Sequence, residues 1–218
     1  VNAQNRSPSR ADYEAYPVTA GDTWSCGRHV FRCGSALDLT YLRATLIYCD
    51  PPFNQAVLRS FQRRAGVTPD GTWQDIYAHI IRLGGDGHIP VFLESGTRQA
   101  PEVAAMMPPG SVQWPITWAS NLARTCVLHG PDVGDFTGMD DYLTIVFALG
   151  FFTPGLVADP CAGFGATAEA AEASGWSSFN VEPDGRRVSA ALARMMRLTG
   201  EGPRLIPAPE PDPFYSGR

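Results

Sequence analysis

Ala44-Thr-Leu-Ile-Tyr-Cys49 runs straight into Asp50-Pro51-Pro52-Phe53-Asn54, and this junction decides the fold. The first six residues are apolar and β-prone. The two prolines lack an N–H and fix φ, so the strand stops and leaves the Asp50 carboxylate at the carboxyl end of a buried strand. In an open α/β sheet, ligands bind at that end. A carboxylate and the Pro51 carbonyl are both acceptors, and together they can hold the two hydrogens of an exocyclic amino group. Accepting from the amine localises its lone pair for attack on an electrophilic methyl. Phe53 can stack on the base that carries the amine, once that base has left its helical stack. Four residues alone are equally well read as a strand and a proline turn with no chemistry.

A second block lies far along the chain. Leu156-Val157-Ala158-Asp159-Pro160-Cys161-Ala162-Gly163-Phe164-Gly165-Ala166-Thr167 leads into the helix-forming run Ala168-Glu-Ala-Ala-Glu-Ala173, which reads as strand, glycine turn and helix. Gly163 and Gly165 permit a tight turn and close backbone approach to a ligand, and the helix start offers free N–H groups. A nucleotide-like cofactor is the natural occupant. Ser178-Phe179-Asn180-Val181 then forms a short strand closed by Glu182, an acid suited to accept from both ribose hydroxyls of an adenosine moiety.

Taken together, these blocks resemble the S-adenosylmethionine-dependent amino-methyltransferases of DNA in the circularly permuted β-class order, with the Asp-Pro-Pro-Phe tetrad ahead of the glycine block. Gly21-Asp-Thr-Trp24 and Gly27 to Ala36 are similar to the family's lead-in. The resemblance covers roughly residues 21–198. It implies a Rossmann-like α/β fold, a mostly parallel doubly wound sheet with an antiparallel edge hairpin. It also implies a methyl transfer to a base amine in DNA, adenine N6 favoured by the acid at position 50, cytosine N4 open, and RNA not excluded. On this reading Asp50, Pro51, Pro52 and Phe53 form the catalytic tetrad. Ser35, Asp159, Cys161, Gly163, Gly165, Thr167 and Glu182 form the S-adenosylmethionine site.

The sequence departs from the family pattern at several of these positions. Ser35 stands where an acid is usual, Cys161 replaces a phenylalanine, Phe164 replaces the serine between the glycines, and Ala166 takes a threonine position. The Lys-Pro pair expected before the glycine block is absent from Gly138-Met-Asp-Asp-Tyr-Leu143. A bulky Phe164 must point away from the turn or remodel the pocket. A chain that keeps the fold but serves as a non-catalytic nucleic-acid-binding or partner subunit is the alternative.

Composition fits one catalytic domain. The chain has 218 residues, 44% of them hydrophobic, enough for a sizeable core. Cys26, Cys33, Cys49, Cys126 and Cys161 form no C-x-x-C, and His29, His79, His88 and His129 have no ligand spacing, so no metal site or disulfide framework is expected. Scattered free thiols point to a reducing cytoplasm. The most apolar stretch, Leu143 to Phe152, is far short of the about 20 residues that span a bilayer, and reads as a buried helix with no membrane partner. The net charge of −5 means that DNA binding needs a local basic face. Arg59, Arg63 and Arg64, on a helix directly after the tetrad, supply the candidate face. A homodimer or a separate recognition subunit could add to it.

Periodicity sets the remaining elements. Strands are expected at His29–Cys33, Thr45–Cys49 and Val91–Leu93, with a hairpin from Val112–Trp118 and Thr125–Leu128. Helices are expected at Gln55–Ala65, Trp73–Leu83 and Gly185–Thr199, the last with Val188, Leu192, Met195 and Met196 in the core. Residues 13–200 read as the domain, with 96–137 as edge strands and a short target-recognition segment. Residues 1–12 read as a disordered tail and 201–218 as a Pro-rich extended one. Trp114 and Trp118 are expected to pack under the sheet.

Overall fold

A computed structural model describes residues 8–68, 71–85, 88–118 and 122–207. In chain order the elements are α1 (Arg10–Tyr13), β1 (Thr23–Cys26), β2 (His29–Cys33), a 3-10 turn (Ala36–Asp38), β3 (Leu46–Cys49), α2 (Gln55–Ala65), α3 (Trp73–Leu83), β4 (Val91–Gly96), α4 (Ala100–Met106), β5 (Val112–Trp118), β6 (Leu122–His129), α5 (Asp141–Gly150), β7 (Leu156–Asp159), α6 (Ala166–Ala173), β8 (Ser177–Glu182), α7 (Gly185–Thr199) and β9 (Arg204–Ile206). The strands form a single sheet in the order β5-β6-β4-β3-β7-β8-β2-β1-β9. Its centre, β4-β3-β7-β8-β2, is parallel. Antiparallel pairs close both edges, β6 and β5 on one side and β1 and β9 on the other.

The tetrad strand β3 and the glycine-loop strand β7 are central neighbours, with Leu46 opposite Val157 and Ile47 opposite Ala158. From β3 the chain moves outward to β4, and from β7 it moves the other way to β8. Their carboxyl ends therefore border the topological switch point, where such sheets open a crevice. Every residue of β3 is buried, so its side chains divide by alternation. Ile47 and Cys49 pack with Leu58, Tyr77 and Ile80 of α2 and α3. Leu46 and Tyr48 pack with Phe92, Ile145, Leu149 and Trp176 on the opposite face. A third cluster joins Trp24, Phe31, Leu192 and Met195 beneath α7.

Helix boundaries follow local chemistry. Asn54 caps α2 through its side chain and Gly66 ends it in the left-handed region at φ +70. Thr72 and Asp75 form a capping box at the start of α3.

Five expectations need correction. The stretch read as a disordered tail up to residue 12 is helical from Arg10, because Ser9 and Asp12 form a capping box. Asp12 also binds Arg197 at 2.6 Å and its carbonyl accepts from Ser189. The Pro-rich end forms β9, which pairs with β1, since Pro203 and Pro207 flank three residues that keep their N–H groups. The helix read as buried over Leu143–Phe152 is α5, capped by Asp140, with Leu143 and Phe147 exposed. Met195 is buried as expected, but Met196 is exposed. Strands β4 and β6 are longer than expected, since antiparallel pairing continues through Gly96 opposite Arg124. Trp114 is buried against Phe136, with ring centroids 4.8 Å apart. The expectations for Trp118's side chain, for the turn at 119–121 and for residues 1–7 and 208–218 lie outside the described residues.

Candidate active site

A cleft of about 1040 Å³ opens at the carboxyl ends of the central strands. Asp50 and Pro52 line it from β3, Glu94 from β4, Asp159, Cys161 and Gly163 from β7 and its loop, and Glu182 from β8. Ser35 and Thr167 also reach it.

The glycine loop keeps its backbone demand despite Phe164. Gly163 has φ +54 and Gly165 φ +80, both in the left-handed region. A Cβ on Gly163 would meet nothing within 4 Å, so this residue presents bare backbone. Gly165 does otherwise: a Cβ there would lie 3.2 Å from Ala191 Cβ, so its role is close packing of loop against α7, and it does not line the cleft. Phe164 stands in the cleft wall, with its ring edge-on to Tyr13 at 5.8 Å. The Arg187 guanidinium lies 4.9 Å from that ring and 4.4 Å from Phe61, so this wall is aromatic and cationic.

Two buried carboxylates organise the loop. Asp159 accepts from the Thr167 hydroxyl at 2.6 Å and from the Cys161 N–H at 3.1 Å, and burial still raises it to about 6. Glu182 accepts from the N–H groups of Gly163 and Asp184, each at 3.0 Å, and burial outweighs the Arg187 cation to raise it to about 7. Ser35 uses its hydroxyl to cap the 3-10 turn, accepting from Leu37 N–H at 3.2 Å. Apolar Leu37, Leu58 and Ile76 complete this side of the cleft. An acid with free lone pairs, exposed glycine backbone and an apolar wall together suit an adenosine-bearing cofactor.

The tetrad end is tighter. Asp50 exposes 37% of its side chain, yet its Oδ1 accepts from Arg124 Nη1 at 2.5 Å. The same guanidinium lies 4.6 Å over the Phe53 ring. Arg124 thus takes both places expected for a base, the carboxylate and the aromatic face, and Phe53 does not line the cleft. Phe53 is seated by Gly96, where a Cβ would approach its ring to 2.9 Å. The Pro51 carbonyl lies 3.4 Å from the Tyr77 hydroxyl, whose single hydrogen has a better acceptor in the Glu94 carbonyl at 2.7 Å. Pro51 therefore retains accepting capacity.

Beside Asp50 stands Glu94, hydrogen-bonded to the Tyr48 hydroxyl at 2.6 Å. Burial pushes Glu94 well above the ordinary carboxylate range, and Asp50 is also raised by burial but opposed by Arg124. Sequence reasoning missed Arg124, Glu94, Tyr48 and Arg187. The available signal was a lone acid inside the apolar run Val91-Phe-Leu-Glu-Ser95.

Arg59, Arg63 and Arg64 are exposed on α2. Arg63 and Arg64 each fold back onto a carbonyl one turn earlier, at 3.4 and 3.3 Å. Phe61 and Gln62 of the same helix line the cleft, so the arginines border its rim. No helix among the described residues is long and apolar enough to cross a membrane.

No family model and no curated protein matches the chain. Among solved structures, M1.HpyAVI is similar with a TM-score of 0.51 at 13% identity, over 76% of this chain and 97% of that one. TTHA0409 of Thermus thermophilus, designated a "putative DNA modification methylase" and crystallised with S-adenosyl-L-methionine, gives a TM-score of 0.52 at 15% identity, over 77% and 93% of the two chains. At these identities the likeness is one of fold: a mixed α/β sheet with a parallel centre, as in methyltransferase structures.

Proposed function

We propose that this chain transfers a methyl group from S-adenosylmethionine to the exocyclic amine of a base in DNA, adenine N6 being the favoured acceptor. The observation that carries this reading is the meeting of Asp50 with Gly163 and Glu182 in one cleft at the switch point. The likeness in fold to a methylase crystallised with S-adenosyl-L-methionine adds support.

The cofactor, when bound, supplies the electrophilic methyl. Glu182 would accept from the ribose hydroxyls, Gly163 would let the backbone approach closely, and the apolar wall of Leu37, Leu58 and Ile76, which lines the same cleft, would keep water from the adenine. A target base enters by displacing the Arg124 guanidinium from the face of Phe53, while Arg124 keeps its bond to Asp50 Oδ1 and leaves Oδ2 for the amine. Asp50 then accepts from the amine, the Pro51 carbonyl takes its second hydrogen, and Phe53 stacks on the ring. Rate comes from orientation and from the negative field of Asp50 on the nitrogen as it becomes cationic. Arg59, Arg63 and Arg64 offer phosphate contacts at the rim.

One observation favours a non-catalytic nucleic-acid-binding or partner subunit instead: Arg124 occupies the amine site. Titration calorimetry with S-adenosylmethionine separates the readings. Saturable heat with a micromolar or tighter Kd is expected, and its absence at protein concentrations that would reveal such binding overturns the enzymatic reading.

A further inference from the structure

The tetrad end holds one more buried acid than the proposed transfer uses. Tyr48 is opposite Phe92, Glu94 opposite Cys126 and Gly96 opposite Arg124. Because side chains alternate along strands, Tyr48, Asp50, Glu94, Cys126 and Arg124 share one face of the sheet. Glu94 is only 2% exposed and lines the cleft floor. Its Oε1 accepts from Tyr48, whereas its Oε2 is buried with no hydrogen-bond partner among the described residues. A bare, buried, ionised oxygen is costly, and a neutral acid is far less so.

The neighbours decide where the proton of this carboxyl pair resides. Arg124 donates to Asp50 and holds the negative charge there. Tyr48 and Cys126 are kept neutral by burial, and Asp141, also on the cleft, brings further negative potential to Glu94. Glu94 is therefore the protonated member. Since Tyr48 already donates to Oε1, the acid hydrogen sits on Oε2.

We infer that Glu94 reads the target base, its Oε2–H donating to the ring nitrogen beside the amine that Asp50 accepts from. This rests on the proposed function and names the class of base that the site takes. Adenine and cytosine each present an amine donor next to a ring-nitrogen acceptor, which matches an ionised Asp50 beside a neutral Glu94. Thymine, and guanine along O6 and N1, present a keto oxygen next to a ring N–H, the opposite order, and meet acceptor with acceptor and donor with donor; the guanine amine adjoins a ring-nitrogen acceptor, N3, only on the edge that carries the sugar.

The test is titration of the full chain with 2′-deoxyadenosine and with its 1-deaza analogue, in which C–H replaces the ring nitrogen. These neutral nucleosides remove phosphate contacts from the comparison. The parent should bind deoxyadenosine at least about tenfold more tightly than the analogue. Glu94→Gln keeps an acceptor for Tyr48 and an N–H donor in place of Oε2–H, so it should preserve that ratio, whereas Glu94→Leu should bring it to about one. A parent ratio near one, no saturable binding of deoxyadenosine at millimolar concentration, or equal loss in both variants would overturn the inference. Infrared spectra of the parent should also contain a neutral-carboxyl carbonyl band that Glu94→Gln removes. Absence of that band in the parent would overturn the inference even if a variant failed to fold. Calorimetry with S-adenosylmethionine runs beside these measurements. Intact cofactor binding with failed base discrimination counts against Glu94 alone, and failed cofactor binding counts against the methyltransferase reading.

Discussion

Replacing Glu182 by glutamine should separate two opposing effects by pH. Both carboxylate oxygens accept backbone N–H groups, from Gly163 and Asp184, and burial raises the acid from its ordinary 4.5 to about 7. Between those values the folded chain binds more protons at this site than the unfolded chain. Stability is therefore full below about 4.5 and is lost as pH rises through about 7. At about 1.4 kcal/mol per tenfold change in the proton equilibrium, the loss is roughly 3 kcal/mol. Glutamine does not titrate, so that loss disappears. It has only one acceptor oxygen, so one N–H faces an amide NH2 at a cost of about 1–3 kcal/mol at every pH. Urea unfolding monitored by tryptophan fluorescence, from pH 5 to 8.5, should find the variant less stable at the acid end. The difference should close or reverse at the alkaline end. A difference constant with pH would refute the reasoning, because it would mean that Glu182 does not change protonation on folding in this range.

Three further outcomes are expected. Gly165→Ala places a side chain at φ +80 and 3.2 Å from Ala191 Cβ, so equilibrium unfolding should detect a loss of about 2 kcal/mol or more, against about 1–2 for Gly163→Ala, whose Cβ meets open space. Glu172 is held near 2 by hydrogen bonds from Arg28 and His29, so it contributes stability above about 4.5 that is lost as pH falls towards 2. Glu172→Gln should flatten that acid limb in pH-dependent denaturation. Changing Arg59, Arg63 and Arg64 together to serine should weaken DNA binding and reduce the slope of log K against log salt by about 2–3, as read by fluorescence anisotropy at several salt concentrations.

How much was legible in the sequence depended on the range of the interaction. The end of β3 was plain, because Pro51 and Pro52 stop a strand by local stereochemistry. Helices α2, α3 and α7 were equally plain, because caps and 3.6-residue periodicity are also local. The strand β9 was hidden because prolines dominate its surroundings, and only the long-range pairing of Ser25 with Arg204 and Trp24 with Leu205 defines it. At the site, Asp50 and Glu182 were readable as strand-end acids and Gly163 as part of a glycine turn. Arg124 was not, since it reaches Asp50 across 74 residues of sequence, and nothing local distinguishes it from other arginines. In sequence, Phe164 left open whether its ring points away from the turn or reshapes the pocket. Its place became intelligible only through Tyr13, Phe61 and Arg187, three residues drawn from three different helices.

Transfer of tritium from methyl-labelled S-adenosylmethionine to DNA, followed by digestion to nucleosides and chromatography, tests the central claim most directly. The account predicts label in N6-methyldeoxyadenosine with the parent chain and none with Asp50→Ala, while both proteins bind the cofactor. Cofactor binding without any label in DNA, or equal labelling by Asp50→Ala, would contradict it.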